Sequence, residues 1–293
     1  MEPLSPPILR IALNEYREFA ALCGFLGRFA PAIGSLMIPG HLERLASVCE
    51  TVFAESLRSL EDSLNCESIG VCAVDLPDDD RLAPEDDVFW GIAALCGLSR
   101  CLFVPSENHE GKAPFSVFRA SLSAGKQLKD LGVHRRPEEH LRFHTDGLIV
   151  DGAISVPRLL VIYNAYIGYR TPGNFHWIPF SRWTDRAEHL DRVGLNVRYR
   201  FTLAPNYFPE KDGVLRSHRP RNAIAPIFSG PARNLATMFF NGEVVDRPDG
   251  AFDPSLISDM RASLERNPSR YSIPPVSYTH LRAHETKANL VCR

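Results

Sequence analysis

Apolar residues recur at helical spacing through the first third of the chain. The stretch from Ile8 to Phe29 predicts a helix, broken by Pro31 and Gly34. A second stretch, His41 to Leu64, carries Leu42, Leu45, Cys49, Val52, Phe53, Leu57, Leu60 and Leu64 along one stripe. It predicts a second amphipathic helix whose apolar face is buried in a core. Ile69-Gly-Val-Cys-Ala-Val74 then reads as a buried strand ended by an acidic turn, Asp75-Leu-Pro-Asp-Asp-Asp80. A further helix opens near Pro84, with acidic residues in its first turn where the helix dipole favours them. Gly97 predicts its C-terminal cap.

Beyond this point the period changes. Val156 to Ile167 is strand-like, and Asn196 to Leu203 alternates, with Val197, Tyr199, Phe201 and Leu203 on one face. Ala223 to Phe228 and Leu235 to Phe240 predict further strands. Asp253-Pro254 opens a late helix built on Leu256, Ile257, Met260 and Leu264. The pattern agrees with a mainly β body with flanking helices without by itself establishing one, and 23 prolines and 19 glycines provide for many turns.

Composition narrows the function classes. With 44% hydrophobic and 23% charged residues, the 293-residue chain is an ordinary globular sequence, able to bury a sizeable core. A formal charge of -2 argues against a nucleic-acid partner. No apolar run is long enough to span a bilayer, and Met1-Glu-Pro-Leu-Ser-Pro-Pro7 has no basic start, so the expectation is a cytoplasmic protein without a membrane anchor. The 7 cysteines, at 23, 49, 66, 72, 96, 101 and 292, include no CxxC pair. They read as small buried thiols rather than a zinc site or redox dithiol.

The strongest chemical signal is Leu141-Arg-Phe-His144-Thr-Asp146-Gly147. In a strand, residues two apart point to one face, so His144 and Asp146 can hold a single ion between them. An imidazole nitrogen and a carboxylate oxygen are two of the three ligands of oxygen-activating iron(II) sites. The motif is short, and chance supplies about one His-X-Asp in a chain this long. A second copy, His189-Leu-Asp191, lies in the charged stretch Trp183 to Arg192. On a helix its two side chains would not share a face, and it reads as a solvated charge cluster.

Context distinguishes the first copy. A strand and Leu-Pro turn, Gly70-Val-Cys-Ala-Val-Asp-Leu-Pro77, precede a helix ending Ala94-Leu-Cys-Gly97; Phe143-His-Thr-Asp146 follows a variable region. Then come a strand running past a proline, Val156-Pro-Arg-Leu-Leu-Val-Ile-Tyr163, and a turn, Thr171-Pro-Gly-Asn-Phe-His176. This order of features, over roughly residues 40–270, resembles the clavaminate synthase-like superfamily, which includes the taurine-dioxygenase type. The resemblance implies a double-stranded β-helix (jelly-roll, cupin-like) core with helices packed outside, incomplete here at its C-terminus. It implies an iron(II)- and 2-oxoglutarate-dependent oxygenase that uses dioxygen to hydroxylate a small molecule, such as an amino acid or natural-product intermediate. His144 and Asp146 would be metal ligands, and Thr171 falls where the family places a contact to 2-oxoglutarate. Arg158, Tyr163 and Asn164 could line the pocket or pack structurally. His176, Trp177 and Trp183 read as structural residues, and Arg216, Arg219 and Arg221 as surface charges.

The family's third iron ligand is a distal histidine followed by Gly-Arg, with an arginine beyond it for 2-oxoglutarate. No His-Gly-Arg occurs here, and His218 precedes the late helix. Residues 276–293, Val276-Ser-Tyr-Thr-His-Leu-Arg-Ala-His-Glu-Thr-Lys-Ala-Asn-Leu-Val-Cys-Arg293, resemble a translated adapter or vector read-through, which puts His280 and His284 in a foreign segment. The expected organisation is an N-terminal helical region at 1–65, a truncated β-helix domain at 66–275 and a non-native tail at 276–293. The rival reading is a non-catalytic jelly-roll binding protein, or an inactive fragment, in which His144 and Asp146 make a structural hydrogen bond. A Ser-His-Asp hydrolase lacks a Gly-X-Ser-X-Gly elbow.

Overall fold

The computed structural model describes residues 4–27, 35–36, 38, 40–102, 119–120, 134–135, 143, 148–150, 153–155, 159–163, 174–203, 207–209, 215–217, 221–229, 236–237, 242–273, 278–283 and 287–289. The chain opens with a strand, β1 (Ile8–Arg10), and three helices, α1 (Leu13–Leu22), α2 (His41–Val52) and α3 (Ala54–Asn65). Strand β2 (Val71–Asp75) leads to the long helix α4 (Pro84–Leu102). Two short pairs follow, β3 (Arg119–Ala120) with β4 (His134–Arg135) and β5 (Leu148–Val150) with β6 (Ala153–Ser155). Next come β7 (Leu159–Tyr163), β8 (Phe175–Pro179), α5 (Arg186–Val193) and β9 (Arg198–Leu203). Strands β10 (Tyr207–Pro209) and β11 (Leu215–Ser217) form a hairpin before β12 (Arg221–Pro226). The rest is β13 (Phe228–Ser229), β14 (Ala236–Thr237), β15 (Gly242–Asp246), α6 (Leu256–Arg266), β16 (Tyr271–Ile273), β17 (Tyr278–Ala283) and β18 (Lys287–Asn289).

One sheet has the order β1-β2-β17-β7, a second β16-β8-β18 and a third β12-β9-β15. Strand β2 is buried along nearly its whole length, because both of its faces are covered. Its alternating side chains separate two cores. Cys72 and Val74 join the helices, packing with Tyr16, Phe19, Leu45, Phe53, Phe89 and Leu98. Val71 faces the second sheet and packs with Phe175, Trp177, Tyr271 and Ile273. Strand β7 repeats the division, with Val161 and Tyr163 against the helices and Ile162 against the second sheet. A third cluster joins β8, α5, β9, β12 and α6 through Ile178, Val193, Tyr199, Phe201, Ala225 and Met260.

Several sequence expectations hold. The late helix buries Leu256, Ile257, Met260 and Leu264, and Tyr199 and Phe201 point inward. Others are corrected by tertiary contacts. Ile8–Arg10 is not the start of a helix; it pairs in parallel with β2, Ile8 opposite Ala73. Strand pairing supplies every second backbone group with a partner, and this outweighs local periodicity. The 41–64 stripe is bent at Phe53 (φ -108°, ψ 28°), whose buried ring lies 5.3 Å from that of Phe19. Gly97 does not end its helix, which continues to Leu102. Its missing side chain instead admits a neighbouring helix: a Cβ there would lie 3.1 Å from the Leu45 carbonyl oxygen and 2.5 Å from Cys49 Sγ.

Residues 278–283, read from sequence as foreign to the fold, stand between β2 and β7. Their backbone pairs antiparallel with both neighbours, His280 opposite Ala73 on one side and Ile162 on the other. Backbone pairing does not depend on side-chain identity. Among the described residues, no helix is long and apolar enough to cross a membrane.

Candidate functional site

His144, Asp146 and Thr171 lie outside the described residues, as do Arg158, Asn164, His218, Arg219 and His284. The residue that enters the metal motif is described: Phe143 is 1% exposed. It belongs to the cluster of Ile178, Phe180, Trp183, Tyr199, Phe201 and Phe228. The chain is therefore anchored in the core one residue before His144.

The ground under Phe143 is held by a partly buried polar network. Trp183 Nε1 donates to Ser263 Oγ (2.8 Å), and Ser263 Oγ donates to Asp185 Oδ2 (2.6 Å). Thr184 donates to Asn267 Oδ1 from both its backbone N–H (3.0 Å) and its hydroxyl (3.1 Å). These bonds fasten the turn before α5 to helix α6, and they satisfy the buried Trp183 indole N–H, the Ser263 hydroxyl and the Asn267 side-chain oxygen, groups that would be costly to bury alone. Arg192 of α5 reinforces the same junction from the surface by pairing with Asp253 (2.9 Å) and Asp259 (3.0 Å). The Tyr199 hydroxyl donates to the Val193 carbonyl (2.9 Å) and closes the connection into β9.

The second His-X-Asp copy is partly corrected here. His189 and Asp191 diverge on α5, as expected, but His189 is not solvated. It is 4% exposed and stacks on Trp183 at 5.0 Å and 17°. Burial holds its pKa below the ordinary histidine value, so the ring is neutral at pH 7. Trp177 is also structural: it is fully buried and its indole N–H donates to the Ile69 carbonyl at 2.7 Å. His176 lies opposite Ser272 in the β8–β16 pair.

A separate polar group sits where α1 meets α4. The Tyr16 hydroxyl donates to the Asp87 carbonyl (3.3 Å). Tyr163 of β7 packs so closely on α4 that a Cβ at Gly91 would lie 2.6 Å from its hydroxyl. Burial pushes the Tyr163 phenol up to about 12, and burial with Asp78 and Asp79 nearby raises the Asp87 carboxyl. Asp79 goes the other way. Hydrogen bonds from Arg17 (2.7 and 2.9 Å) and Arg81 hold it well below the usual carboxylate range. Nothing in the sequence pattern separated these residues from surface charge, because Arg17 lies 62 positions from Asp79 and Tyr16 lies 71 from Asp87. Among the described residues, no three His, Cys, Asp or Glu side chains gather closely enough to hold a metal.

No protein-family model matches the chain, and no curated protein matches it by sequence. Solved structures of the non-heme iron oxygenase OrfP do match its fold. The complex with Fe superposes with a TM-score of 0.62 at 14% identity, covering 98% of this chain and 88% of that one. The complex with Fe and alpha-ketoglutaric acid gives 0.59 at 14%, covering 98% and 88%, and that with Fe and L-Arg gives 0.60 at 15%, covering 97% and 87%. The chain thus has the fold of a non-heme iron oxygenase. OrfP is one such neighbour in fold, and the superposition covers nearly the whole length of this chain.

Proposed function

We propose that the parent protein is a non-haem iron(II), 2-oxoglutarate-dependent oxygenase that hydroxylates a small molecule, with a double-stranded β-helix as its core. The observation that carries this reading is the fold shared with an iron oxygenase, together with a Phe143-His144-Thr145-Asp146 motif whose first residue is set in the core. His144 would give an imidazole nitrogen and Asp146 a carboxylate oxygen, a donor set that suits iron(II). The bound metal and 2-oxoglutarate would supply the oxidising power, with dioxygen as co-substrate. The chain's share is to hold both ligands on one strand face, to orient substrate and to exclude water. The double burial of β2 and the packing around Phe143 support that share. Thr171 is proposed as a hydroxyl contact to 2-oxoglutarate.

A free amino acid is the substrate class to test first, because OrfP has been crystallised with L-Arg, L-canavanine and L-homoarginine. Residues 276–293 are proposed to be non-native, so the third metal ligand and the arginine for 2-oxoglutarate would be missing from this chain.

The test is succinate formation from 2-oxoglutarate under dioxygen, with iron(II) and a panel of amino acids that includes arginine. The chain as it stands is run beside one with a restored C-terminus. We expect turnover in the restored chain, and its loss in His144→Ala and Asp146→Ala. A restored chain that binds an amino acid but never consumes 2-oxoglutarate would instead support the non-catalytic binding protein.

A further inference from the structure

Helices α2 and α4 cross with almost no space between them, and two thiols sit at that crossing. Gly97 makes the approach possible, since the carbonyl oxygen of Leu45 and the sulfur of Cys49 occupy the place where a side chain would stand. The fully buried Cys49 donates to the Ala94 carbonyl of α4 (3.8 Å). Cys101, one turn beyond Gly97 and half-buried, donates in the opposite direction to the Ala46 carbonyl of α2 (3.3 Å). Each thiol is thus aimed at the other's helix: Cys101 meets the carbonyl of Ala46, one turn before Cys49, and Cys49 fills the place beside Gly97, one turn before Cys101.

The pair is chemically asymmetric. The neighbouring Cys49 thiol, with Arg100 adding to it, lowers the pKa of the Cys101 thiol against the opposing effects of burial and Glu50. Burial is the main reason that Cys49 stays protonated. A thiolate that is partly reachable by solvent, beside a buried thiol that is not, is the arrangement of an attacking and a resolving cysteine. Cys23 and Cys96 lie close to Cys49 as well, but burial raises both thiols to about 12, leaving them poor nucleophiles.

We propose that Cys49 and Cys101 form a peroxide-sensitive dithiol that closes reversibly into a disulfide between α2 and the last turn of α4. The oxidant is hydrogen peroxide. The Cys101 thiolate attacks one peroxide oxygen; the O–O bond breaks, and the departing hydroxide takes a proton to become water. The Cys49 sulfur then attacks the sulfur of the resulting Cys101 sulfenic acid. The S–S bond forms as the S–O bond breaks, and the leaving hydroxide takes the Cys49 proton as a second water. In sum, two thiols and one peroxide give one disulfide and two waters. A thiol reductant reverses the bridge.

The test is peroxide treatment of the folded, full-length chain, followed by alkylation, non-reducing digestion and peptide mass mapping. The expected product is a Cys49–Cys101 linked peptide pair, lighter by two hydrogens than the separate thiol peptides and restored to them by dithiothreitol. In Cys49→Ser, Cys101 should stop at the sulfenic or sulfinic acid without a bridge. In Cys101→Ser, Cys49 should remain unmodified. Circular dichroism checks that the variants fold; should either fail, the wild-type map decides alone. Oxidation of wild-type Cys101 to sulfinic acid with no bridge would overturn the proposal. So would links to Cys23, Cys66 or Cys96 as abundant as the link to Cys49.

Discussion

Phe143 shows how one apolar side chain can govern a polar motif. It is buried among Ile178 of β8 and the aromatic residues of β9 and the α5 junction, and the next residue is His144. Replacing it with leucine should cost ~1 kcal/mol, since the substitution keeps an apolar group in the core. Alanine should cost ~3–5 kcal/mol. Thermal unfolding checks both values. In the Phe143→Leu variant of a chain with a restored C-terminus, iron(II) affinity, measured by competition with a chelator, should fall while circular dichroism stays unchanged. Unaltered affinity would mean that the motif is positioned without help from this ring. His189 makes a different kind of prediction. Burial lowers its folded-state pKa below the ordinary histidine value, so the unfolded chain binds the proton more readily. Stability is then full above the unfolded value and declines as pH falls below it. Between about pH 7 and about pH 5 the wild type should lose melting temperature faster than His189→Leu; parallel curves would contradict this assignment.

At the scale of elements, the crossing of α2 and α4 sets the terms for the N-terminal core. In the sequence Gly97 marks a helix end, yet the helix runs on to Leu102. Its role is tertiary, because it makes room for Leu45 and Cys49 of the neighbouring helix. Alanine at position 97 gains ~1 kcal/mol in helix propensity. It also forces a contact at 2.5 Å with Cys49 Sγ, and overpacking of this kind costs ~1–3 kcal/mol. The net effect expected is a loss of stability, read by denaturant titration; a gain would mean that the helices separate freely. The same crossing juxtaposes Cys49 and Cys101, which spacing alone could not reveal. A CxxC pair announces itself in sequence, whereas two thiols on different helices meet only through packing.

For the whole molecule, the decisive feature is the place between β2 and β7. Residues 278–283 occupy it and pair on both sides. Without them β2 and β7 each present an unpaired edge. A chain ending at Pro275 should therefore aggregate or lose cooperativity, as size-exclusion chromatography and thermal unfolding would show. A chain whose residues 278–283 are replaced by another extended sequence should remain monodisperse. A well-folded chain ending at Pro275 would show that the place need not be filled.

The extent of what could be read beforehand follows from the range of the forces involved. The stripes of α2, α3 and α6, the strand at β2 and the inward face of β9 came from periodicity, since burial of one face leaves a regular trace in sequence. The order of elements around the His144 and Asp146 motif pointed to the oxygenase fold that the OrfP structures share. The strand at Ile8–Arg10, the bend at Phe53, the stacked His189 and the thiol pair did not come through. Each depends on a partner far along the chain: β2 for Ile8, Phe19 for Phe53, and a different helix for each thiol. Local alternation of apolar and polar residues by itself determined which segments fold and which faces are buried. Which buried faces meet, and which polar groups are thereby brought within reach of one another, only the tertiary structure decided, because close packing and hydrogen bonding act across space without regard to distance in sequence.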